Sequence, residues 1–331
     1  MTVATPFSAA ALAIDAARVT DTITGVIRDL VLKTVRRKGV IVGLSGGVDS
    51  SVVAALCKRA LGQERVVGLL MPEAESSPDS MRLGRLVADT LGIASLVEDI
   101  GPILTAAGCY RRRDDAIRQV IPEYDDGYRC KLVLPDLVAR DRFPVFSIVV
   151  RSPAGVERKL RLTAEAFLGV VAATNFKQRV RKMLEYYHAD RLQFAVVGTP
   201  NRLEYDQGFF VKNGDGAADL KPIAHLYKSQ VYELAHYLGV PDEIQRRPPT
   251  TDTYSLEQSQ DEFYFSLPLA TMDLAVYARN HDVRPTEAAP VLGLTAEQVE
   301  RVYRDINAKR HATRYQHLPP LLVEEIAEVP S

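Results

Sequence analysis

A glycine-rich turn near the start of the sequence has the residue types of a phosphate-binding loop. An apolar run at residues 40–44 is followed by Ser45-Gly46-Gly47-Val48-Asp49-Ser50-Ser51 and then by a helical pattern. A strand, a tight turn and a helix N-terminus together bind anions, because free backbone N–H groups and the helix dipole point at one place. The carboxylate of Asp49 would repel a phosphate, so its presence predicts a magnesium ion that bridges to the phosphates.

A second polar cluster follows an apolar run that begins at residue 194. Glycines at positions 208, 214 and 216 predict that most of this segment is a loop. Charged loops at the ends of sheet strands are common places for chemistry. The polar residues of the cluster are Thr199, Asn201, Glu204, Lys212, Asp215 and Asp219.

Alternating strands and helices must position these two segments. Buried strands are predicted at residues 40–44, 66–71, 94–97 and 194–199, and helices at 11–38, 52–61, 80–91, 163–188 and 228–238. Gly39 is expected to end the first helix. The alternation predicts a doubly wound α/β fold, in which a parallel sheet has helices on both faces. Ligands of such sheets bind beyond the carboxyl ends of the strands, so both polar segments are expected there.

The rest of the chain adds a hairpin and a helical end to this pattern. The pattern of residues 101–128 is less regular, whereas residues 143–162 predict an inserted β-hairpin. A helical region is expected from residue 261 to about residue 310 with a break near Pro285, and residues 276–331 form a helical C-terminal region and tail. The 331 residues are expected to form a single domain.

Composition narrows the class of protein. The net charge is -1, which argues against nucleic-acid binding, and the run at residues 111–113 is expected to be a solvated basic surface. The three cysteines form no C-x-x-C pair, as is typical of a protein in the reduced cytoplasm. The sequence has neither a long apolar stretch nor a signal-peptide pattern, so no contact with a membrane is expected.

The pattern Ser-Gly-Gly-x-Asp-Ser at residues 45–50 resembles the loop of the ATP pyrophosphatases. Residues 198–204 (Gly-Thr-x-Asn-x-x-Glu) and 208–219 (Gly-Phe-Phe-x-Lys-x-Gly-Asp-Gly-x-x-Asp) narrow the resemblance to NAD synthetases of the ammonia-dependent type. The resemblance implies an adenine nucleotide alpha hydrolase-like fold. It also implies a ligase reaction in which ATP, ammonia and deamido-NAD give NAD, AMP and pyrophosphate through an acyl adenylate.

The resemblance implies roles for individual residues. Asp49 and Glu204 match magnesium ligands, and the catalytic residues would be Asp49, Lys228 and Asp215, of which Asp215 is a candidate for handling ammonium or magnesium. Contacts to ATP are implied for Ser45, Gly46, Gly47, Val48, Asp49, Ser50, Ser51, Thr199, Lys228 and Thr250. Contacts to deamido-NAD are implied for Arg179, Lys212, Asp219 and Arg314.

Three departures from the family pattern put the identity of the acceptor in question. The hairpin has no counterpart in the compact bacterial enzymes, and residues 311–315 lack the family's His-Lys pair. Residues 251–256 differ from the family's usual sequence after the threonine, although Asp261 and Glu262 are retained. An amide-forming ligase that adenylates a different carboxylate is therefore the alternative. The family implies a homodimer, and the lack of a preceding glutaminase domain implies free ammonia or a separate glutaminase subunit.

Overall fold

A four-stranded parallel sheet lies at the centre of the fold. The computed structural model describes residues 6–133, 146–250, 253–258, 264–265, 267–324, 326 and 328. The strands are β1 (Val40–Gly43), β2 (Val66–Leu70), β3 (Ala94–Val97) and β7 (Ala195–Val197), in the order β3-β2-β1-β7. All of their pairings are parallel, so the carboxyl ends of the strands lie along one edge of the sheet.

Helices cover both faces of this sheet, as the sequence predicts. The helices that pack on it are α1 (Ala16–Asp29), α2 (Val48–Leu61), α3 (Pro78–Leu91), α6 (Ala164–Leu192) and α8 (Lys228–Tyr237). Alternate strand residues point to opposite faces. Val40 and Val42 therefore pack against α1, α2, α3 and α8, whereas Ile41 packs against α6. The doubly wound fold class is confirmed.

Seven further helices complete the described part of the chain. They are α4 (Gly101–Ala106), α5 (Cys109–Arg118), α7 (Arg202–Gln207), α9 (Asp242–Arg246), α10 (Leu269–Asn280), α11 (Pro285–Leu292) and α12 (Ala296–His317). Pro285 begins α11, so the predicted break is confirmed, and Asp261 and Glu262 lie outside the described residues. None of the described helices combines the length and the apolarity that crossing a bilayer requires.

The first predicted helix is shorter than the sequence pattern indicates. A 3-10 turn (Ala9–Leu12) precedes α1, and a π-helical turn (Leu30–Thr34) follows it. The chain leaves the helix before Gly39, so the prediction that this glycine ends it is wrong. A Cβ added to Gly39 would lie 2.5 Å from the carbonyl oxygen of Arg65 and 2.6 Å from the ring of Phe194. The glycine thus permits close packing instead of capping a helix.

Two helices, α4 and α5, occupy the region in which the sequence pattern is less regular. Gly108, with φ of 71°, makes the left-handed turn between them. The buried residues of α5 include Cys109, Ala116 and Ile117, which lie among many charged residues. The many charged residues make the apolar spacing of this short amphipathic helix difficult to recognise in the sequence.

A second, antiparallel sheet consists of β4 (Arg129–Val133), β5 (Ser147–Arg151) and β6 (Glu157–Arg161). The pairing of β5 with β6 confirms the predicted hairpin, except at residues 143–145, which lie outside the described residues. The strand β4 was not predicted. Its buried residues Cys130 and Leu132 pack with Ile148 and Val150 over α5 and α6. The insertion is therefore a three-stranded sheet and not an isolated hairpin.

Candidate active site

A cavity of about 800 Å³ opens at the carboxyl edge of the parallel sheet. It is lined by Ser45 and Asp49 after β1, by Met71 after β2 and by Thr199 after β7. Parallel strands bring the segments that follow them to the same edge. Both polar segments predicted from the sequence therefore reach this one cavity, and Thr250 lines it as well.

The turn between β1 and α2 is tightly packed. Gly46 has φ of 74°, and a Cβ added to it would lie 2.8 Å from both Leu83 Cβ and the carbonyl oxygen of Ser80. The hydroxyl of Ser51 donates to the carbonyl oxygen of Gly47 at 2.8 Å. Neither Gly46 nor Ser51 lines the cavity, so both shape the turn. The loop residues that do line the cavity are Ser45, Gly47, Val48, Asp49 and Ser50.

We expect Gly46→Ala to weaken ATP binding and to destabilise the protein by about 1–3 kcal/mol, because the left-handed backbone is strained and the new Cβ clashes. Gly62→Ala is the matched control. Gly62 has φ of 87°, but no atom lies within 4 Å of an added Cβ, so it shares the strain without the clash. Thermal unfolding and ATP titration of both variants measure the effect. Equal ATP affinity in the two variants would contradict the role of tight packing.

Asp49, Glu204 and Lys228 form the charged centre of the cavity. The ammonium group of Lys228 pairs with Asp49 Oδ2, and all three residues line the cavity. Asn201 holds both carboxylates: its side-chain amide donates to Asp49 Oδ1 at 3.3 Å, and its backbone N–H donates to Glu204 Oε2 at 3.0 Å. The structure thus brings the two predicted metal ligands together through one residue.

Two helix N-termini hold this centre in place. Asn201 caps α7, because its side-chain oxygen accepts hydrogen bonds from the backbone N–H groups of Leu203 and Glu204 at 3.0 and 3.2 Å. At the start of α8, the backbone N–H of Lys228 donates to the buried carboxylate of Asp273 at 3.1 Å. Asp273 was not predicted, because it lies 45 residues from Lys228 and belongs to no motif.

Burial and repulsion change the ionisation of the charged centre. Burial and the neighbouring Asp49 carboxylate raise the pKa of Glu204 to about 8, although Lys228 opposes this. Burial acts to lower the pKa of Lys228, but the carboxylates of Asp49 and Glu204 outweigh it, so that pKa is raised. Lys228 therefore remains charged, and in the absence of a metal ion Glu204 binds its proton more tightly than an ordinary glutamic acid does.

Glu204 should make the stability of the unliganded protein depend on pH. Its pKa rises from the usual 4.5 to about 8 on folding, so the folded chain binds this proton more tightly than the unfolded chain does. The resulting stabilisation is complete below the unfolded pKa and is lost as the pH rises through the folded pKa. From about pH 5 to pH 8 we expect wild type to lose stability relative to Glu204→Gln, by at most about 1.4 kcal/mol per pH unit. Urea unfolding of both proteins in a chelating buffer measures this, and parallel pH profiles would contradict it.

The residues of the charged centre fit a magnesium ion. The Asp49 charge raises the pKa of Glu204, so a divalent cation between the two carboxylates would relieve their repulsion. Magnesium prefers oxygen ligands and completes its shell with waters and substrate phosphates. Among the described residues no group of three or more histidine, cysteine or acidic side chains could hold a metal. A metal at this centre would therefore need phosphate or water oxygens in addition to the two carboxylates.

One face of α6 forms a long wall of the cavity. Its lining residues recur at helical spacing and are Phe167, Val171, Thr174, Asn175, Lys177, Gln178, Arg181, Lys182 and Glu185. At the charged end of this face Lys182 Nζ lies 2.5 Å from Glu185 Oε2. Burial raises the pKa of Asp215, which also lines the cavity, while the Val211 backbone N–H and the Lys182 charge oppose the rise. The sequence does not predict the buried pair of Lys182 and Glu185, because charged residues on a helix are usually exposed to solvent.

The four residues implied as deamido-NAD contacts lie outside the cavity lining. Arg179 Nε donates to the carbonyl oxygen of Lys212 at 3.2 Å, and Lys212 Nζ donates to that of Tyr315 at 2.8 Å. Asp219 Oδ2 accepts a hydrogen bond from the backbone N–H of Val196 at 2.7 Å. The side chain of Arg314 is exposed on α12, while its neighbours Tyr315 and Gln316 line the cavity. The roles of the four residues in binding the acceptor stay predictions.

The basic run at residues 111–113 is only partly solvated. Arg111 and Arg112 are exposed, but Arg113 is buried and pairs with Glu75. Lys177 joins this cluster, because its Nζ lies 2.6 Å from Glu75 Oε2 and 2.9 Å from Glu73 Oε1. The prediction of a solvated surface is wrong for Arg113, since its partner lies 38 residues earlier in the sequence. The cluster supports the part of the cavity wall that Lys177 forms.

Comparison with known proteins finds similar sequences over most of the chain. The family model for NAD synthase matches residues 19–120 and 155–316. An NH(3)-dependent NAD(+) synthetase from Mesorhizobium japonicum is 58% identical over 317 residues, which are 96% of this chain and 99% of that protein. Residues 121–154, which contain β4 and β5, fall between the two matched ranges.

Two solved structures share the fold of the chain. An NH3-dependent NAD synthetase from Campylobacter jejuni has a TM-score of 0.61 at 22% identity and covers 94% of this chain and 100% of its own. An NMN synthetase from Francisella tularensis has a TM-score of 0.61 at 21% identity, with 94% and 99% covered. At such identities these similarities establish the fold alone, and they agree with the predicted adenine nucleotide alpha hydrolase-like architecture.

Proposed function

Because the chain belongs to the NAD synthase family of ligases, we propose that it amidates the nicotinate carboxylate of deamido-NAD with ammonia and converts ATP to AMP and pyrophosphate. The convergence of Asp49, Glu204 and Lys228 on one cavity carries this proposal. A carboxylate is a poor electrophile, and adenylation gives it AMP as a leaving group. The cavity combines a glycine turn of the type that binds phosphate with fixed charges, and this chemistry needs both.

The first step transfers AMP to the acceptor. A carboxylate oxygen of deamido-NAD bonds to the α-phosphorus of ATP, and the bond from that phosphorus to the pyrophosphate oxygen breaks. Negative charge spreads over the phosphate oxygens, so fixed cations dominate the catalysis. The Lys228 ammonium supplies one such cation. Asp49 and Glu204 would hold magnesium, which when bound neutralises further charge on the phosphates.

The second step forms the amide. The ammonia nitrogen bonds to the acyl carbon, the bond from that carbon to AMP breaks, and the nitrogen loses a proton. Asp215 lines the cavity, and burial raises the pKa of its carboxyl group. A buried carboxylate with a raised pKa is a stronger base than an exposed one, so it is suited to accepting this proton. We assign it that role and favour free ammonia as the nitrogen source.

We also propose that two copies of the chain form a homodimer in the cytoplasm. Arg179, a predicted acceptor contact, shares one face of α6 with Met183 and Tyr187, whose exposed fractions are 53% and 58%. An interface on this face would bury both apolar side chains beside the acceptor. All three cysteines are free and buried, which suits a reduced compartment. A monomeric mass in light scattering would contradict the dimer.

An assay of the purified protein tests the proposed function. With ATP, magnesium, ammonium chloride and deamido-NAD, we expect one NAD and one pyrophosphate for each ATP consumed. Nicotinate mononucleotide in place of deamido-NAD tests the alternative of another carboxylate acceptor. If the first reaction gives no NAD and the second gives an amide product, the acceptor is nicotinate mononucleotide and not deamido-NAD.

A further inference from the structure

The inserted sheet contributes directly to the cavity. The NAD synthase model does not match residues 121–154, yet Leu132 and Val133 of this segment line the cavity together with Phe146. We propose that this sheet forms a subsite for the adenine base of a nucleotide substrate. The inference rests on the proposed function, in which both ATP and deamido-NAD carry adenine.

Two stacked aromatic rings form the centre of this subsite. Phe146, just before β5, stacks on Phe167 of α6 with ring centroids 3.6 Å apart and an interplanar angle of 11°. Both side chains are half-buried and line the cavity, beside the apolar Leu132 and Val171. Stacking on aromatic side chains binds a nucleic-acid base through its flat π-face, whichever base it is. The subsite therefore suits a flat heteroaromatic ring better than a phosphate or a sugar.

The side chains along the cavity face of α6 change from apolar to polar in the same order as the groups of a nucleotide, from base to phosphate. The cavity face of this helix begins at Phe167 and Val171, continues through the amides of Asn175 and Gln178, and reaches Lys182. At about 1.5 Å per residue, the rise along the helix axis is about 12 Å from Phe167 to Asn175 and about 22 Å from Phe167 to Lys182. A base at the apolar end would thus direct its sugar and phosphates towards the polar end.

Strand β4 also fixes a second part of the cavity wall. The backbone N–H of Cys130 donates to Ser255 Oγ at 2.9 Å, and the backbone N–H of Leu256 donates to the carbonyl oxygen of Cys130 at 3.1 Å. Between this anchor and the predicted ATP contact Thr250, the residues Thr253 and Tyr254 line the cavity. The sheet therefore both supplies an aromatic surface and holds a neighbouring segment against the site.

Binding measurements on Phe146→Leu test the subsite, because leucine keeps the apolar character and removes the ring. Calorimetry gives the Kd of ATP, deamido-NAD and inorganic tripolyphosphate for the wild-type and variant proteins. We expect a rise of about 5- to 150-fold in the Kd of at least one nucleotide, and no change for tripolyphosphate, which lacks a base. A rise for ATP places its adenine at the ring, and a rise for deamido-NAD places the dinucleotide's adenine there. Val156→Ala, in the exposed turn between β5 and β6, is the matched control and should bind as wild type does.

Unchanged Kd values for both nucleotides in a folded Phe146→Leu variant would overturn the inference. Photolabelling of the wild-type protein with 8-azidoadenine derivatives of both nucleotides gives a second measurement that needs no variant. Adducts in peptides that contain β4 or Phe146 support the subsite, whereas adducts confined to other peptides refute it. Neither measurement requires turnover, so failure of the amidation assay would refute the proposed acceptor without deciding the position of the base.

Discussion

We expect Asp49→Asn to lower the rate of ATP-dependent amidation by about 10²- to 10³-fold, which corresponds to about 2.7–4 kcal/mol of transition-state stabilisation. Asparagine has nearly the same shape and can still accept the hydrogen bond that Asn201 donates to Asp49 Oδ1. It removes only the negative charge that pairs with Lys228 and that would bind a cation. A lower rate in this variant would therefore arise from the lost charge and not from a change of packing.

Steady-state rates over a range of magnesium concentrations measure this effect. We expect the variant to need more magnesium for half of its maximal rate, because one anionic oxygen ligand is lost. Asp29→Asn is the matched control, since Asp29 is 61% exposed and pairs with Lys33 on the surface. An Asp49→Asn variant with normal rates and a normal magnesium requirement would contradict the assigned role.

Lys228→Met is expected to reduce pyrophosphate release at least about 10²-fold and also to destabilise the protein by about 3–5 kcal/mol. The lysine side chain is 3% exposed, and its ammonium pairs with Asp49 while Glu204 lies close enough to raise its pKa. Methionine fills a similar volume but leaves Asp49 without its fixed counter-charge and Glu204 without its neighbouring cation. Removal of one partner of a buried ion pair is strongly destabilising for this reason.

Chemical unfolding with and without magnesium separates the two effects of Lys228→Met. If the destabilisation arises from the loss of the cation beside Asp49 and Glu204, added magnesium should stabilise the variant more than it stabilises wild type. The surface variant Lys33→Met, which breaks a pair between exposed side chains, should change stability by less than about 1 kcal/mol. A stable, active Lys228→Met protein would show that the Lys228 ammonium does not act on the phosphates.

Local sequence patterns determined most of the central fold. The apolar runs at residues 40–44 and 66–71 contain the strands β1 and β2, whose residues are buried on both faces of a parallel sheet. The glycine turn that begins at Ser45 is predictable from adjacent residues, since its backbone shape depends on the glycines themselves. The polar motif at residues 198–219 likewise carries its capping residue and its glycines within one short segment. Short-range rules are sufficient for such features.

Side-chain partners and cavity walls were decided only by the tertiary structure. Lys228 and Asp49 are 179 residues apart, and no local pattern pairs them. The same holds for Arg113, whose charged neighbours in sequence predict solvent exposure although Glu75 neutralises it in the interior. The strand β4 was missed because its pattern is short and its pairing partner begins more than ten residues later. Periodicity and turn chemistry act over a few residues, whereas burial and charge pairing depend on which distant elements pack together.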